Sequence, residues 1–330
     1  MSGHLQDHFE RRIDYMRISV TDRCNLRCIY CMPSEGVRFI EHREILRYEE
    51  ILRIVRIATR LGISKVRITG GEPLVRKDIV RLIESLAEMT EIEDISLTTN
   101  GVLLKAYAGD LSRAGLQRVN VSLDSLSPER YEIITRGRHL SDVWDGIEEA
   151  ENAGLKPVKI NIVPIKGFND DEILDFAMLT LRRPVDVRFI EFMPIGAKEM
   201  WDERKYISTG EIKERIRTLG DLVPDRSERQ AGPAENYRLP GAVGVIGFIS
   251  PLTNHFCSSC NRLRLTADGK MRPCLFSESE IDLKNPIRNG CDDTEIERLL
   301  SLAVSVKPKE HRLGERIPRR FQRTMSKIGG

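Results

Sequence analysis

Apolar, β-branched runs alternate with helix-period segments through the first two-thirds of the chain, and this alternation limits the possible folds most strongly. Runs typical of strands lie at residues 15–20, 65–69, 92–98, 118–123, 158–164 and 185–192. Helical stretches separate them, at residues 48–61, 76–88, 103–113, 141–152 and 171–181. Strands that are each followed by a helix pair in parallel through right-handed crossovers. The sequence therefore predicts an α/β fold with an open, partial (β/α)6 barrel of the TIM type, and a doubly wound sheet is the alternative.

The pattern changes after about residue 210. A helix at 209–218 leads into a loop rich in charge, proline and glycine at 224–241, and short strand-like pieces follow at 243–250 and 263–266. We therefore predict two domains. Residues 1–220 form the barrel core, and residues 221–330 form a smaller C-terminal domain.

The composition argues against a general affinity for nucleic acid or an anionic membrane, because 52 Lys and Arg are balanced by 50 Asp and Glu. No apolar run approaches the ~20 residues of a membrane helix, and the polar N-terminus lacks the apolar segment of a secretory signal. We expect a cytoplasmic protein whose seven cysteines stay reduced and serve metal binding or catalysis. Only the tail at 307–327 is strongly basic.

Three cysteines follow the first predicted strand within eight residues: Cys24, Cys28 and Cys31. Three thiolates on one loop can converge on one metal centre. A closed zinc site or a fully ligated [4Fe–4S] cluster needs four ligands. One iron of a cluster would therefore stay open for a small molecule, whereas a zinc loop completed by a distant residue is the alternative.

Other unusual polar clusters also follow strands. Gly70-Gly71 could let the backbone approach a ligand closely, although a tight turn would use the same residues. Barrel enzymes place their chemistry at the C-terminal ends of the strands. We therefore expect one rim to carry the cysteine loop and four further segments: residues 70–73, 98–101, 122–124 and 191–194.

A second group of three cysteines lies far downstream: Cys257, Cys260 and Cys274. This spacing favours a second cluster with an open iron, but a zinc knuckle completed by His255 would fit it too. Cys291 is then a spare thiol. As a fourth ligand it would close the second cluster.

Five cations are candidates for binding phosphate. Arg262 and Arg264 point to the same side if their segment is extended, and arginine presents a planar fork that fits phosphate oxygens. A single arginine or lysine is usually only a charged residue on the protein surface. We expect the five to converge at the barrel mouth, where they would suit a triphosphate: Arg17, Arg67, Lys159, Arg262 and Arg264.

These motifs together resemble the radical S-adenosylmethionine superfamily. The whole chain is similar to one of its families, which cyclises GTP in the first step of molybdenum-cofactor synthesis. The resemblance is carried by residues 17–24, 65–74, 122–124 and 257–264 and by the closing Gly329-Gly330. A peptide-modifying radical enzyme and a zinc-binding nucleic-acid module are the rival interpretations.

The resemblance implies a role for each matching residue. Cys24, Cys28 and Cys31 hold the [4Fe–4S] cluster that cleaves S-adenosylmethionine, and Cys257, Cys260 and Cys274 hold a second [4Fe–4S] cluster whose open iron receives guanine. S-adenosylmethionine contacts Tyr30, Gly71, Ser122 and Met193, with Arg188 as a weaker candidate. GTP contacts Arg17, Arg67, Thr98, Lys159, Arg262 and Arg264. No side chain is implied as an acid–base catalyst, because the cofactors carry the radical chemistry.

The implied enzyme is a lyase. It converts GTP to (8S)-3′,8-cyclo-7,8-dihydroguanosine 5′-triphosphate and cleaves S-adenosylmethionine to 5′-deoxyadenosine and methionine. The implied partners are a reduced flavodoxin or ferredoxin-type electron donor and a downstream cyclic pyranopterin monophosphate synthase, and the chain is a monomer or homodimer. The closing Gly329-Gly330 is expected to thread toward the active site, with a frayed tail as the alternative.

Overall fold

The computed structural model describes residues 4–33, 36–195, 202–225, 232–311 and 323–329. The strands in these ranges are β1 (Tyr15–Ser19), β2 (Lys65–Thr69), β3 (Asp94–Thr99), β4 (Arg118–Ser122), β5 (Lys159–Ile162), β6 (Asp186–Ile190), β7 (Val223–Pro224), β8 (Glu235–Arg238), β9 (Val245–Ile249), β10 (Arg262–Leu265), β11 (Lys270–Arg272) and β12 (Ile281–Asp282). The α-helices are α1 (Tyr48–Arg60), α2 (Ile79–Ala87), α3 (Leu104–Arg113), α4 (Pro128–Thr135), α5 (Leu140–Asn152), α6 (Ile173–Arg182), α7 (Thr209–Ile216), α8 (Lys284–Arg288), α9 (Asp293–Ser305) and α10 (Met325–Ile328). Short 3₁₀ helices lie at His42–Glu44, Pro73–Val75, Asp170–Glu172, Glu203–Lys205, Arg217–Leu219 and Cys257–Ser259.

All of these strands belong to one sheet, in the order β12-β11-β10-β1-β2-β3-β4-β5-β6-β9-β8-β7. The eight central strands, from β10 to β9, pair in parallel, and the outer pairings at both edges are antiparallel. Strands β1 to β6 lie side by side in chain order, whereas a doubly wound sheet reverses its order at a switch point. The predicted partial barrel is therefore confirmed.

The two faces of the parallel strands differ in polarity. Met16 and Ile18 of β1 are fully buried in the apolar core, which the surrounding helices complete. Arg17 lies between them and therefore points to the other face, because successive strand residues alternate. Helix α1 contributes Ile51 and Ile54 to the same core. The helices thus pack outside the sheet, and the inner face is free to carry polar side chains.

The C-terminal strands extend the barrel on both sides. Strand β10 pairs in parallel with β1, and β9 pairs in parallel with β6. The sheet is therefore continuous across the predicted boundary at residue 220, and the division into two domains stays a prediction.

Several elements were not expected from the sequence. Helix α4 and helix α9 fall in segments that were not assigned, and β8 lies inside the predicted loop at 224–241. The longest helices, α1, α5 and α9, have 13 residues each. Among the described helices, none has the length and apolar character required to cross a bilayer.

Candidate active site

A cavity of about 380 Å³ lies inside the barrel and is lined by residues from all eight parallel strands. Two groups of cysteines open onto it, which we call the first triad (Cys24, Cys28 and Cys31) and the second triad (Cys257, Cys260 and Cys274). The volume is within the range of small-molecule sites. One cavity therefore joins the two predicted metal centres.

The two triads lie at opposite ends of this cavity. The first triad follows the carboxyl end of β1, whereas Cys257 and Cys260 precede β10. Because Tyr15 at the start of β1 pairs with Arg262 at the start of β10, the second triad lies at the amino ends of the parallel strands. The Cα atoms at the two ends of a five-residue strand are roughly 13 Å apart. A ligand between the triads therefore lies along the inside of β1.

The first triad is held by backbone turns and side-chain donors. Cys31 donates its amide to the carbonyl of Cys28 at 2.9 Å, and Sγ of Cys24 accepts from the amide of Leu26 at 3.4 Å and from Nδ2 of Asn100 at 3.7 Å. Burial raises the pKa of Cys24 to about 11 and that of Cys31 to about 12. Without metal these thiols hold their protons, so iron binding would release them.

The glycine-rich turn after β2 packs directly on the cysteine loop. The amide of Gly71 donates to the carbonyl of Thr21 at 2.7 Å, and the amide of Glu72 donates to the carbonyl of Arg23 at 2.7 Å. A Cβ added at Gly71 would clash with the carbonyl oxygen of Arg23. This position therefore needs glycine for packing, in addition to any contact with a ligand.

Glu72 connects the loops that follow β2 and β3. Its buried carboxylate accepts hydrogen bonds from the amide of Leu74 at 3.0 Å, the hydroxyl of Thr99 at 2.7 Å and the amide of Asn100 at 2.7 Å. Burial nevertheless raises the pKa of this carboxyl to about 7. Glu72 therefore holds the rim together around the first triad.

The four residues predicted to contact S-adenosylmethionine all line the cavity: Tyr30, Gly71, Ser122 and Met193. The hydroxyl of Tyr30 donates to Oδ2 of Asp124 at 2.5 Å, and Oδ1 of Asp124 accepts the amide of Val163 at 2.8 Å. Burial raises the pKa of Asp124 to about 6. Asp124 thus positions Tyr30 beside the first triad.

Three arginines form a ladder across neighbouring strands on the inner face. Arg17 of β1 pairs in register with Arg264 of β10 on one side and with Arg67 of β2 on the other. All three line the cavity. Desolvation, followed by the charges of Arg264 and Arg67, holds the pKa of Arg17 well below its ordinary value. The ladder is therefore a site that an anion would stabilise.

The expectation that these cations gather at the barrel mouth was wrong. Arg17 and Arg67 are the central residues of their strands, so the ladder lies within the barrel, between the triads. Arg262 and Thr98 also line the cavity. Buried polar atoms without a partner among the described residues include Nε of Arg17, Nε of Arg188 and Oγ1 of Thr98. Such atoms suit a polar, anionic ligand, because burying them unpaired is costly.

Lys159 is the predicted GTP contact that does not line the cavity. Its side chain is buried, with Nζ 3.9 Å from Oδ2 of Asp186 on the neighbouring strand. Burial, followed by the charge of Arg188, lowers the pKa of Lys159 to about 7. Lys159 is therefore buried next to the residues that line the cavity and is not itself a lining residue.

The second triad lies among cations. Arg262 lines the cavity beside it, with its guanidinium 4.7 Å from the ring centroid of Phe256. Nζ of Lys307 is 3.5 Å from Sγ of Cys260. Burial alone would raise the pKa of Cys260, but Arg262 and Lys307 lower it to about 7. A thiolate, the form that binds metal, is thus accessible here near neutral pH.

Each zinc alternative needs a fourth ligand beside its triad. Among the described residues, no three His, Cys, Asp or Glu side chains are close enough to hold a single metal ion. The sulfurs around a cluster bind different irons and so are farther apart than those around one zinc. His255 contacts Glu310 at 3.4 Å and stacks edge-on with His311. Cys291 is outside the cavity, between α8 and α9, where its carbonyl accepts from Arg53 at 2.7 Å.

Sequence reasoning missed three side chains of this site. The sequence pattern places Asp124 only in a polar cluster, gives no link between Asn100 and a cysteine, and places Lys307 in the basic tail. Its position directly after the apolar end of α9, which includes Ala303 and Val304, was a signal that Lys307 could be buried. Arg312 to Gln322 of that tail and the final Gly330 lie outside the described residues.

Comparisons with known proteins agree with this arrangement. Residues 18–180 match the model of the radical SAM superfamily, and residues 185–313 match the model described as Molybdenum Cofactor Synthesis C. The chain is 52% identical to a GTP 3′,8-cyclase of Pelotomaculum thermopropionicum, over 99% of this chain and 100% of that protein. Proteins of the same name from Thermodesulfovibrio yellowstonii and Moorella thermoacetica are 54% and 53% identical, with the same coverage.

Solved structures share the fold at low sequence identity. SuiB of Streptococcus suis bound to S-adenosylmethionine superposes with a TM-score of 0.55 at 17% identity, covering 82% of this chain and 61% of that one. Methylornithine synthase (PylB) superposes with a TM-score of 0.52 at 18% identity, covering 92% of this chain and 86% of that one. These two likenesses concern the fold alone.

Proposed function

The chain belongs to the GTP 3′,8-cyclase family of the radical S-adenosylmethionine superfamily, and from this premise we propose how its cavity holds the cofactors and the substrate. The reaction of the family is the cyclisation of GTP, the first step of molybdenum-cofactor biosynthesis. One observation supports the proposal above the others. Both cysteine triads open onto a single cavity, and the arginine ladder lies between them.

The first triad is the proposed site of the [4Fe–4S] cluster that the superfamily implies. Its three thiols open onto the cavity on a loop fixed by the glycine-rich turn. Three ligands leave one iron for S-adenosylmethionine. The proposed contacts of that cofactor are Tyr30, Gly71, Ser122 and Met193, which surround the same end of the cavity.

The second triad is the proposed site of another [4Fe–4S] cluster, and Cys257, Cys260 and Cys274 would leave one of its irons open to bind guanine. The triphosphate then lies against the ladder of Arg17, Arg67 and Arg264, where guanidinium forks can bind phosphate oxygens in pairs. Thr98 and Arg262 are further proposed GTP contacts at the cavity wall. Lys159, which is buried next to Arg188 of the cavity wall, stays a proposed GTP contact.

When bound, the first cluster and S-adenosylmethionine would supply the radical chemistry that starts the cyclisation of GTP, and they would be held by Cys24, Cys28 and Cys31 and by Tyr30, Gly71, Ser122 and Met193. The chain itself positions the reactants and excludes water. The ladder fixes the phosphates on the inside of the sheet, and Tyr30 is held by Asp124 near the first triad. No described side chain needs to move a proton for this role.

The proposed partners follow from the same chemistry. GTP is the substrate, a reduced flavodoxin or ferredoxin-type protein gives electrons, and a cyclic pyranopterin monophosphate synthase takes the product. A cytoplasmic location would keep the seven cysteines reduced and available for iron. We propose a monomer or a homodimer.

The test is anaerobic reconstitution of the full chain. We expect about eight irons and eight sulfides per chain, and about four of each after replacing either triad with alanine. Incubation with S-adenosylmethionine, dithionite and each of the four NTPs should give the cyclised product from GTP alone. Full iron content in the Cys257→Ala, Cys260→Ala, Cys274→Ala variant would contradict the proposed second cluster. Turnover of ATP would contradict the proposed recognition of guanine.

A further inference from the structure

Lys307 is a buried cation next to the second triad. It follows α9, where its amide donates to the carbonyl of Val304 at 3.1 Å. The residue as a whole is only 4% exposed. Its Nζ lies 3.5 Å from Sγ of Cys260, 2.8 Å from the carbonyl oxygen of Arg262 and 2.7 Å from the carbonyl oxygen of Pro273. An ammonium group has three donors, and this site offers three acceptors.

These three acceptors lie on both segments that carry the second triad, the loop with Cys257 and Cys260 and the turn with Cys274. Arg262 comes two residues after Cys260, and Pro273 directly precedes Cys274. Lys307 therefore joins the loop before β10 to the turn after β11, and it brings a positive charge to the sulfur of Cys260. Among the described residues no carboxylate pairs with Lys307, so its charge faces the thiols.

Arg11 has a different role in the same region. It donates to the carbonyl of Cys257 at 2.6 Å and to the carbonyls of Pro308 and Lys309, but its charge is paired with Asp7 at 2.6 Å. Arg11 thus fastens the segment after Lys307 to the cysteine loop without adding net charge. Among the described residues, Lys307 is the cation that donates a hydrogen bond to a sulfur of the second triad.

We propose that Lys307 is a positioning residue of the second triad, which holds its two loops together and stabilises the extra negative charge when the bound cluster accepts an electron. This inference rests on the proposed second cluster. Hydrogen bonds to the sulfurs and the net charge nearby are among the factors that set the reduction potential of such a cluster. A cation favours the reduced form, so removing it should make the potential more negative.

The test compares four reconstituted full-length proteins: the wild type, Lys307→Met, Lys307→Arg and Lys309→Met. Lys309 is an exposed lysine two residues away, so its replacement is a matched control for the loss of one charge. The readout is a dithionite titration followed by electron paramagnetic resonance, with iron counted per chain. The signal of the second cluster is the one that disappears when Cys257, Cys260 and Cys274 are replaced.

Lys307→Met should make the midpoint potential of that signal more negative by at least about 59 mV. This shift corresponds to a tenfold change in the equilibrium constant for reduction by one electron. Selective loss of about four irons from Lys307→Met, with Lys307→Arg intact, would support the holding role. Lys309→Met should match the wild type. An unchanged potential with full iron in Lys307→Met would overturn the inference, as would an equal shift in Lys309→Met.

Loss of both clusters from Lys307→Met and Lys307→Arg alike would also overturn it, because a role confined to the second triad leaves the first triad loaded. Failure of the proposed function is a distinct result. In that case the wild type itself holds only about four irons, or no signal disappears with the second triad.

Discussion

The carbonyl oxygen of Gly329 accepts a hydrogen bond of 3.1 Å from Nη1 of Arg264, a member of the arginine ladder inside the barrel. Gly329 has a positive φ of 83°, and a Cβ at this position would lie 2.8 Å from Cβ of Ser19 on β1. Gly329 therefore lies in a narrow space between Arg264 and β1, where an added Cβ would clash. Gly330, the last residue, lies outside the described part.

Deleting Gly329-Gly330 should abolish turnover of GTP and leave both clusters in place. The deletion removes an acceptor from Arg264 but touches neither triad. We would measure product by chromatography and iron per chain after anaerobic reconstitution. Gly329→Ala should reduce turnover as well, because its Cβ meets Ser19. A truncated protein with wild-type activity would show that the tail is dispensable.

Gly71→Ala should prevent loading of the first triad. The new Cβ would clash with the carbonyl oxygen of Arg23 and would lie 2.8 Å from that of Asp22, and both are backbone atoms rather than flexible side-chain ends. The cysteine loop must move, so we expect about four irons per chain instead of about eight. The iron count and 5′-deoxyadenosine formation measure the effect.

Gly210→Ala is the matched control for this substitution. Its Cβ would meet only Oγ of Ser208, at 3.7 Å, and Gly210 is an exposed residue of α7. Alanine is favoured over glycine in a helix, so this variant should be fully loaded and as stable as the wild type or slightly more so. Full iron in Gly71→Ala would contradict the packing argument.

The first six strands and the cysteine spacings could be predicted because both are local patterns. The alternation of strand-like and helical segments identified β1 to β6. The three cysteines of each triad are also near one another in the sequence. The opposite placement of the triads could not be predicted. It depends on β10 pairing with β1, a contact between residues about 250 positions apart, such as Tyr15 and Arg262.

Lys307 and Lys159 show why charged side chains were placed less well. Lys307 begins a basic run that usually indicates a solvated surface, yet it is 4% exposed. Lys159 lies on a strand that faces the barrel interior, but its side chain is buried beside Asp186 and does not line the cavity. Burial of a charge is decided by tertiary partners, which no local pattern reveals.

Arg17→Met should weaken GTP binding and at the same time stabilise the protein without ligands. Arg17 lies between the like charges of Arg264 and Arg67, and its pKa is held well below the ordinary value by desolvation and by those charges. A lost hydrogen bond to a charged group is worth about 1.5–3 kcal/mol, so GTP affinity should fall at least about tenfold. Anaerobic calorimetry with GTP and thermal unfolding measure the two effects.

Arg182→Met is the control for this trade-off, because Arg182 is exposed at the end of α6. It should leave GTP affinity and unfolding temperature unchanged. If Arg17→Met bound GTP as tightly as the wild type, the ladder would not be the phosphate site. If it melted at a lower temperature, the repulsion within the ladder would be outweighed by packing.

Asp124 should make the stability of the metal-free protein depend on pH. Burial raises the pKa of this carboxyl from 3.8 to about 6, so the folded state binds the proton more tightly than the unfolded chain does. Its contribution to the free energy of unfolding is therefore fully present below about pH 4 and is lost as the pH rises through about 6. The difference corresponds to about 3 kcal/mol.

Asp124→Asn removes this titration, so the stability of the wild type relative to the variant should decrease between pH 5 and pH 7.5, to be measured by thermal unfolding under reducing, anaerobic conditions. Asp175→Asn, at an exposed position of α6, should differ from the wild type by a nearly constant amount over the same range. A relative stability that rises with pH would mean that the hydrogen bonds from Tyr30 and Val163 outweigh burial and keep Asp124 ionised.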